Sequence, residues 1–92
     1  GVGGSTVIDA EGAVIGKVVE LLLECRTGAV RYIVVASGSV GGIGETLRAV
    51  PRDRVTFGCD TILLSMNEHD FNMLSPLQDG DWPADVEGDG SH

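Results

Sequence analysis

Ninety-two residues make room for one domain with one core, burying roughly 60–65% of the unfolded chain's surface. Hydrophobic residues at 42% and charged residues at 22% give a globular composition and exclude an intrinsically disordered chain. The net charge of −8 excludes a dominantly basic surface of the kind that gathers nucleic acid or membrane phosphates.

Val, Ile and Thr number 12, 5 and 5, about a quarter of the chain, which favours strands. The 14 glycines are about twice the usual ~7% share and predict many tight turns. The chain opens at Gly1 without a methionine, as expected of a processed chain or a piece of a longer one. Residues 1–5 read as a flexible N-terminus. Thr6-Val7-Ile8-Asp9 is a short β-branched strand, and Ala10-Glu11-Gly12 is a turn signal.

The run Ala13–Cys25 is ambiguous. Val14, Val18, Leu21, Leu22 and Cys25 fit one helical face, whereas Ile15, Val19, Leu21 and Leu23 alternate as a strand does. We read one long, bent strand, with Gly16 allowing a close approach or a bulge. Arg26-Thr27-Gly28 is a hairpin turn, and Ala29–Ser37 is the clearest strand. Its even positions Val30, Tyr32, Val34 and Ala36 are all apolar or amphipathic, and its odd positions Arg31, Ile33, Val35 and Ser37 are half apolar. A strand apolar on both faces is covered on both. The cover is expected to be the C-terminal segment or a second copy of the protein.

Gly38–Glu45 lacks the GxGxxG spacing and the GK[ST] of a phosphate cradle, and strand-like Thr46–Val50 follows it instead of a helix. It reads as a loop. Pro51 ends a strand. Arg54–Phe57, the turn Gly58-Cys59-Asp60 and Thr61–Leu64 form a hairpin in which Val55 and Phe57 meet Ile62 and Leu64. Asn67 is an N-cap candidate for a short helix with early acids, ending before Ser75-Pro76. Phe71 and Leu74 are expected to plug one end of the sheet. Residues 1–67 hold seven acids and six bases, whereas residues 68–92 hold seven acids and no Lys or Arg. The acidity therefore belongs to the end of the chain, and 79–92 reads as an acidic tail with Trp82-Pro83 its docking point. That surface suits solvation or a basic protein partner.

The fold class is all-β: a small, partly open antiparallel β-barrel of five or six strands over residues 6–78 with one short C-terminal helix. In this layout the chain resembles the PRC-barrel domain family. The resemblance rests on Val7-x-Asp9-x-x-Gly12, Ile15-Gly16-Lys17-Val18, Thr27-Gly28, Val30-x-Tyr32-x-Val34-Val35, Gly42-x-Gly44-Glu45 and Val50-Pro51-x-Asp53-x-Val55, with Glu68, Leu74 and Pro76 closing it. The family takes its name from the cytoplasmic domain of the photosynthetic reaction-centre H subunit and includes the C-terminal half of a ribosome-maturation factor. It implies a cytoplasmic binding or assembly module, often self-associating, with no catalytic motif. Arg52 departs from the pattern, since many free-standing members carry an aromatic after Val-Pro.

The residues offer little chemistry. His69 and His92 stand at no metal-ligand spacing, and Ser65 and Ser75 make no nucleophile motif. Asp79–Glu87 begins like a calcium loop but lacks its Gly and closing Glu. No cofactor, metal or catalytic residue is assigned, and the chain is expected not to be an enzyme. Cys25 and Cys59 lie in apolar, strand-like runs and read as small hydrophobes in a reducing cytoplasm, with one disulfide an open alternative. Arg48, Arg52 and Arg54, with Arg31 across the sheet, form a candidate partner patch for RNA phosphate or an acidic protein; the competing reading is a solvated face neutralised by Asp53, Glu45 or the tail. Scarce aromatics disfavour direct nucleic-acid contact, and no apolar run is long enough to span a membrane. The leading expectation is a homodimer formed through Tyr32, Ile33 and Val35. The alternative is an accessory factor in RNA processing or ribosome maturation that docks a basic protein.

Overall fold

The computed structural model describes residues 4–38, 46–77 and 86–88. Six strands follow in order: β1 (Thr6–Ile8), β2 (Val14–Glu24), β3 (Val30–Ser37), β4 (Thr46–Pro51), β5 (Val55–Phe57) and β6 (Thr61–Leu64). Helix α1 (Glu68–Asn72) and a further strand, β7 (Val86–Gly88), complete the described elements. The sheet runs β4-β3-β2-β1-β6-β5, with β7 on β2. Its end strands β4 and β5 are joined by a 3₁₀ turn at Arg52–Arg54 and do not pair, so the barrel is open there. This is the small, partly open all-β fold expected from the sequence.

The hairpins arise from local chemistry. Asp9 and Gly12 (φ +88°) turn the chain between β1 and β2, and Gly28 (φ +73°) turns it between β2 and β3. Both glycines hold a backbone conformation that a Cβ disfavours. In the β5–β6 hairpin Val55 lies opposite Leu64 and Phe57 opposite Ile62, as the alternation predicts. One pairing breaks the succession of sequential hairpins. β6 returns beside β1 in parallel, with Thr6, Val7 and Ile8 opposite Thr61, Ile62 and Leu63.

β2 is the long strand expected, but its faces differ from simple alternation. Val19 is an extra residue between the pairs Val18–Val35 and Glu20–Val34, and such a bulge shifts the side-chain phase by one. Val18 and Leu21 therefore both serve the core, while Leu22 is buried on the opposite face. Gly16 lies between Val7 of β1 and Ser37 of β3. A Cβ there would run into the Ala36 carbonyl, so the strands approach as closely as they do because Gly16 has no side chain.

The core gathers Val7, Ile15, Val18, Ile33, Val35, Val50, Val55, Ile62, Leu64, Met66 and Phe71. Each of the larger side chains contributes about 1.5–3 kcal/mol by leaving water. α1 begins where Asn67 Oδ1 accepts the Asp70 N–H at 2.8 Å, an N-cap worth about 1 kcal/mol. The cap aims Phe71, fully buried, into the cluster, and Leu74 packs beside it.

Three expectations are corrected. Gly4 and Ser5, read as flexible, extend the ladder: Gly4 N–H donates to the Val18 carbonyl (2.7 Å) and Val18 N–H to that of Ser5 (3.0 Å). Val86–Gly88, read as tail, pairs with Leu22–Glu24 on the edge that the short β1 leaves uncovered. A bare strand edge of this kind recruits any extended segment that reaches it. Cys25 and Cys59 are free and exposed, because β2 ends at Glu24 and β5 at Phe57 and the two cysteines fall in the turns that follow. The glycine-rich loop at 39–45, the docking point Trp82-Pro83 and most of the calcium-like run lie outside the described residues, as does His92. Among the described residues no helix is long and apolar enough to cross a membrane.

Candidate interaction surfaces

β3 is buried on both faces from Ile33 to Ser37, as its two-sided apolar pattern predicts. The cover is present in a single chain. Ile33 and Val35 are fully enclosed in the core, and Val34 and Ala36 are buried on the other side. Ile33 and Val35 therefore cannot meet a second copy while the chain stays folded, which corrects the expected surface. Of that trio only Tyr32 stays partly exposed. It stands opposite Pro51 of β4 in an open groove of about 420 Å³, shared with Val30, Arg31, Arg52 and Asp53.

The three arginines of the expected patch are committed in three directions. Arg48 lies over the Phe71 ring at 5.4 Å and donates from Nε to the Leu74 carbonyl (3.0 Å), fastening β4 to the chain leaving α1. Arg52 stacks over Phe57 at 4.6 Å and donates to the Val55 carbonyl (2.9 Å). Arg54 donates from Nε to Ser65 Oγ (2.9 Å). Among the described residues none of the three forms an ion pair, with Asp53 or any other acid; backbone carbonyls, a hydroxyl and ring faces hold them, while Glu45 and most of the acidic tail lie outside the described residues. Arg31 pairs with Glu24 at 2.9 Å and reaches Arg52 only across the groove.

Large apolar side chains meet water on the other half of the sheet. Val14 is 67% exposed and Leu63 43%. Ile8, half-buried, stands opposite both, pairing with Val14 across β1–β2 and with Leu63 across β1–β6. Thr56 continues this row onto β5, opposite Leu63. Sequence reasoning did not single these residues out. The signal was available, since placing Ile62 and Leu64 in the core turns Leu63 outward by alternation.

Comparison with protein-family models gives a match to the PRC-barrel domain over residues 2–68, most of the chain. The chain belongs to the PRC-barrel family. Comparison with curated proteins gives no match. Within this PRC barrel the Val7-x-Asp9-x-x-Gly12 motif has a physical meaning. Val7 enters the core while Asp9, buried, gathers three backbone donors: Glu11 N–H (2.9 Å) and Ala13 N–H (2.8 Å) on Oδ1, and Glu68 N–H (2.9 Å) on Oδ2. The last bond ties the β1–β2 turn to the first residue of α1, 59 positions away. Asp9 is therefore a fastening between the sheet and the helix that plugs it. His69 is exposed on α1, and among the described residues no three His, Cys, Asp or Glu side chains converge as metal ligands.

The Ala13 N–H is the largest influence on the Asp9 carboxyl and lowers its pKa from the ordinary 3.8; burial opposes this, and the N–H groups of Glu11, Glu68 and Gly12 add to the lowering. A carboxylate with a depressed folded-state pKa contributes its stability fully above the ordinary value and loses it as pH falls through the folded value. Asp9→Asn is expected to be less stable than the parent at pH 7, since its amide cannot accept on both sides. The gap should narrow as pH drops below 3.8, as read from urea midpoints of both proteins. A gap that is constant with pH would show that Asp9 acts through shape alone.

Proposed function

We propose that this PRC-barrel protein is a non-enzymatic, cytoplasmic interaction and assembly module that self-associates as a homodimer. The observation that carries the reading is the exposure of Val14 and Leu63 on rigid strands, where an ordered sheet displays apolar surface that water disfavours. Family membership supports it, as self-association is common among free-standing members. The test is sedimentation velocity at rising protein concentration. A sedimentation coefficient that climbs reversibly toward that of a dimer supports the reading, and a constant monomer value up to the solubility limit overturns it.

A second reading, an accessory factor in RNA processing or ribosome maturation that docks a basic protein, draws on Glu68 and Asp70, both exposed on α1. The same sedimentation run with a lysine-rich peptide separates the two. A boundary that moves only when the peptide is present, and in low salt, favours the adaptor. Deleting residues 79–92 is a poor test of that surface because it also removes β7. Neutralising Glu68 and Asp70 as Gln and Asn leaves the backbone bonds of α1 in place.

A further inference from the structure

The chain is fastened at two points on either side of residues 78–85, and those points lie far apart on the sheet. Leu77 N–H donates to the Leu47 carbonyl at 2.7 Å. β4 is an end strand whose one partner is β3, so Leu77 sits just beyond its free edge. Val86 pairs with Glu24 on the edge of β2 that faces away from β3. Crossing β4, β3 and β2 from one anchor to the other takes four interstrand spacings of ~4.8 Å, about 19 Å. The anchors also differ in height. Leu47 is level with Ala36 and Glu24 with Ala29, about 23 Å along β3 at ~3.3 Å per residue. The diagonal is about 30 Å, and the filled core leaves no shorter way through. Residues 77 and 86 are nine Cα steps apart, which reach about 30–32 Å at ~3.3–3.6 Å each. Joining both anchors within one chain uses nearly all of that reach.

A short connection at its limit favours exchange of the element it carries. It also gives that element a low effective concentration at the site in its own chain. The edge of β2 does not distinguish Val86–Gly88 of its own chain from the same three residues of another, because exchange reproduces every ladder contact. A second copy therefore brings a strand that fits by construction, and its β2 edge can be placed where the connection is not stretched.

We propose that two copies of this chain exchange β7, so that Val86–Gly88 of each pairs with Leu22–Glu24 of the other and the β2 edge is the docking site for a second copy. The proposal rests on the self-association reading and supplies the contact that makes the dimer. Two ladder residues report on it directly. Glu24 spends its N–H on Ala29 and its carbonyl on Gly28, so its pairing with Val86 is of the non-hydrogen-bonded kind. Cα atoms in such a pair are about 4.5 Å apart, within the reach of a disulfide.

The experiment uses the full chain, with circular dichroism to confirm that each variant is folded. Cys25→Ser and Cys59→Ser remove the native thiols. One such chain carrying Glu24→Cys and another carrying Val86→Cys are refolded together at a concentration where the parent sediments as a dimer, then oxidised. The expected product is a disulfide between the two unlike chains, in preference to either chain with itself. Connection length gives a second readout by sedimentation. Inserting Gly-Ser-Gly-Ser after Gly80 lets each chain reach its own β2 edge and should raise the dimer Kd about tenfold. Deleting Asp79 and Gly80 leaves a reach of about 23–25 Å, short of the span, and should lower the Kd about tenfold. A disulfide between unlike chains together with these opposite shifts establishes the exchange. No such disulfide, or a dimer indifferent to connection length, overturns the exchange and leaves self-association standing on another surface. A parent protein that stays monomeric up to its solubility limit overturns both the exchange and the self-association reading.

Discussion

Ile33→Asp is expected to lose most or all of the stability of the fold at pH 7. Ile33 is fully buried between Leu21 of β2 and Val50 of β4, so truncating it costs about 2–5 kcal/mol in lost burial and cavity. The aspartate must then lie charged in an apolar core or take up a proton. Protonating a carboxyl of ordinary pKa ~3.9 at pH 7 costs about 4 kcal/mol. Together these come to about 6–9 kcal/mol, against a total stability of about 5–14 kcal/mol for a chain this size. Position 33 is a sharper test than 35, because Val35 lies opposite Arg48, whose guanidinium would partner an introduced carboxylate. If β3 presented Ile33 to a second copy, the same substitution would give a soluble, folded monomer. Far-UV circular dichroism and urea unfolding distinguish the outcomes, and an Ile33→Asp that keeps the parent's urea midpoint would overturn the placement of this residue in the core. Ile33→Val, which removes a single methylene, should stay folded at a cost of about 0.5–1.5 kcal/mol.

The burial of both faces of β3 also shows what local pattern carries and what it does not. The two-sided apolar alternation of Val30–Ser37 correctly predicts two covered faces, yet nothing in it says whether the cover comes from the same chain. Features set by adjacent residues were legible: the β5–β6 register, the Asn67 cap, the turn at Ala10–Gly12 and the length of β2. Features set by distant partners were not. The parallel β1–β6 pairing joins segments about 55 positions apart, and β7 pairs with β2 across about 64. Neither leaves a mark on local periodicity. The bulge at Val19 defeats alternation from within, because one extra residue exchanges the two faces for the rest of the strand. The interaction residues suffered most. Three arginines close in sequence suggested a patch, but each side chain is long enough to find its own acceptor or ring on a different element. Leu63 and Val14 passed unnoticed because exposed leucine and valine are common and gain meaning only when the register aligns them.

Gly16→Ala is the second large effect, and its sign is the informative part. In an ordinary strand the exchange would stabilise by about 0.4–1 kcal/mol, because alanine has less freedom to lose on folding. At Gly16 the added methyl meets the Ala36 carbonyl, with the Ala36 carbonyl carbon at 3.0 Å and Ser37 Cα at 3.2 Å. All three contacts are backbone atoms of β3, so no side chain can swing aside. Relief requires opening the β2–β3 ladder where Gly16 faces Ser37, and the same residue also pairs with Val7 of β1, which prevents β2 from retreating. Overpacking of this rigid kind costs about 3 kcal/mol, equivalent to a fall of about 12–24 °C in the thermal midpoint of a domain this size. Gly28→Ala is the matched control. Its Cβ would meet nothing within 4 Å, but its φ of +73° costs a side chain about 1–2 kcal/mol. Thermal unfolding of the two variants should therefore rank Gly16→Ala well below Gly28→Ala. Equal midpoints would mean that β2 and β3 do not approach as closely as the Gly16 contact requires, and a raised midpoint for Gly16→Ala would place β3 elsewhere.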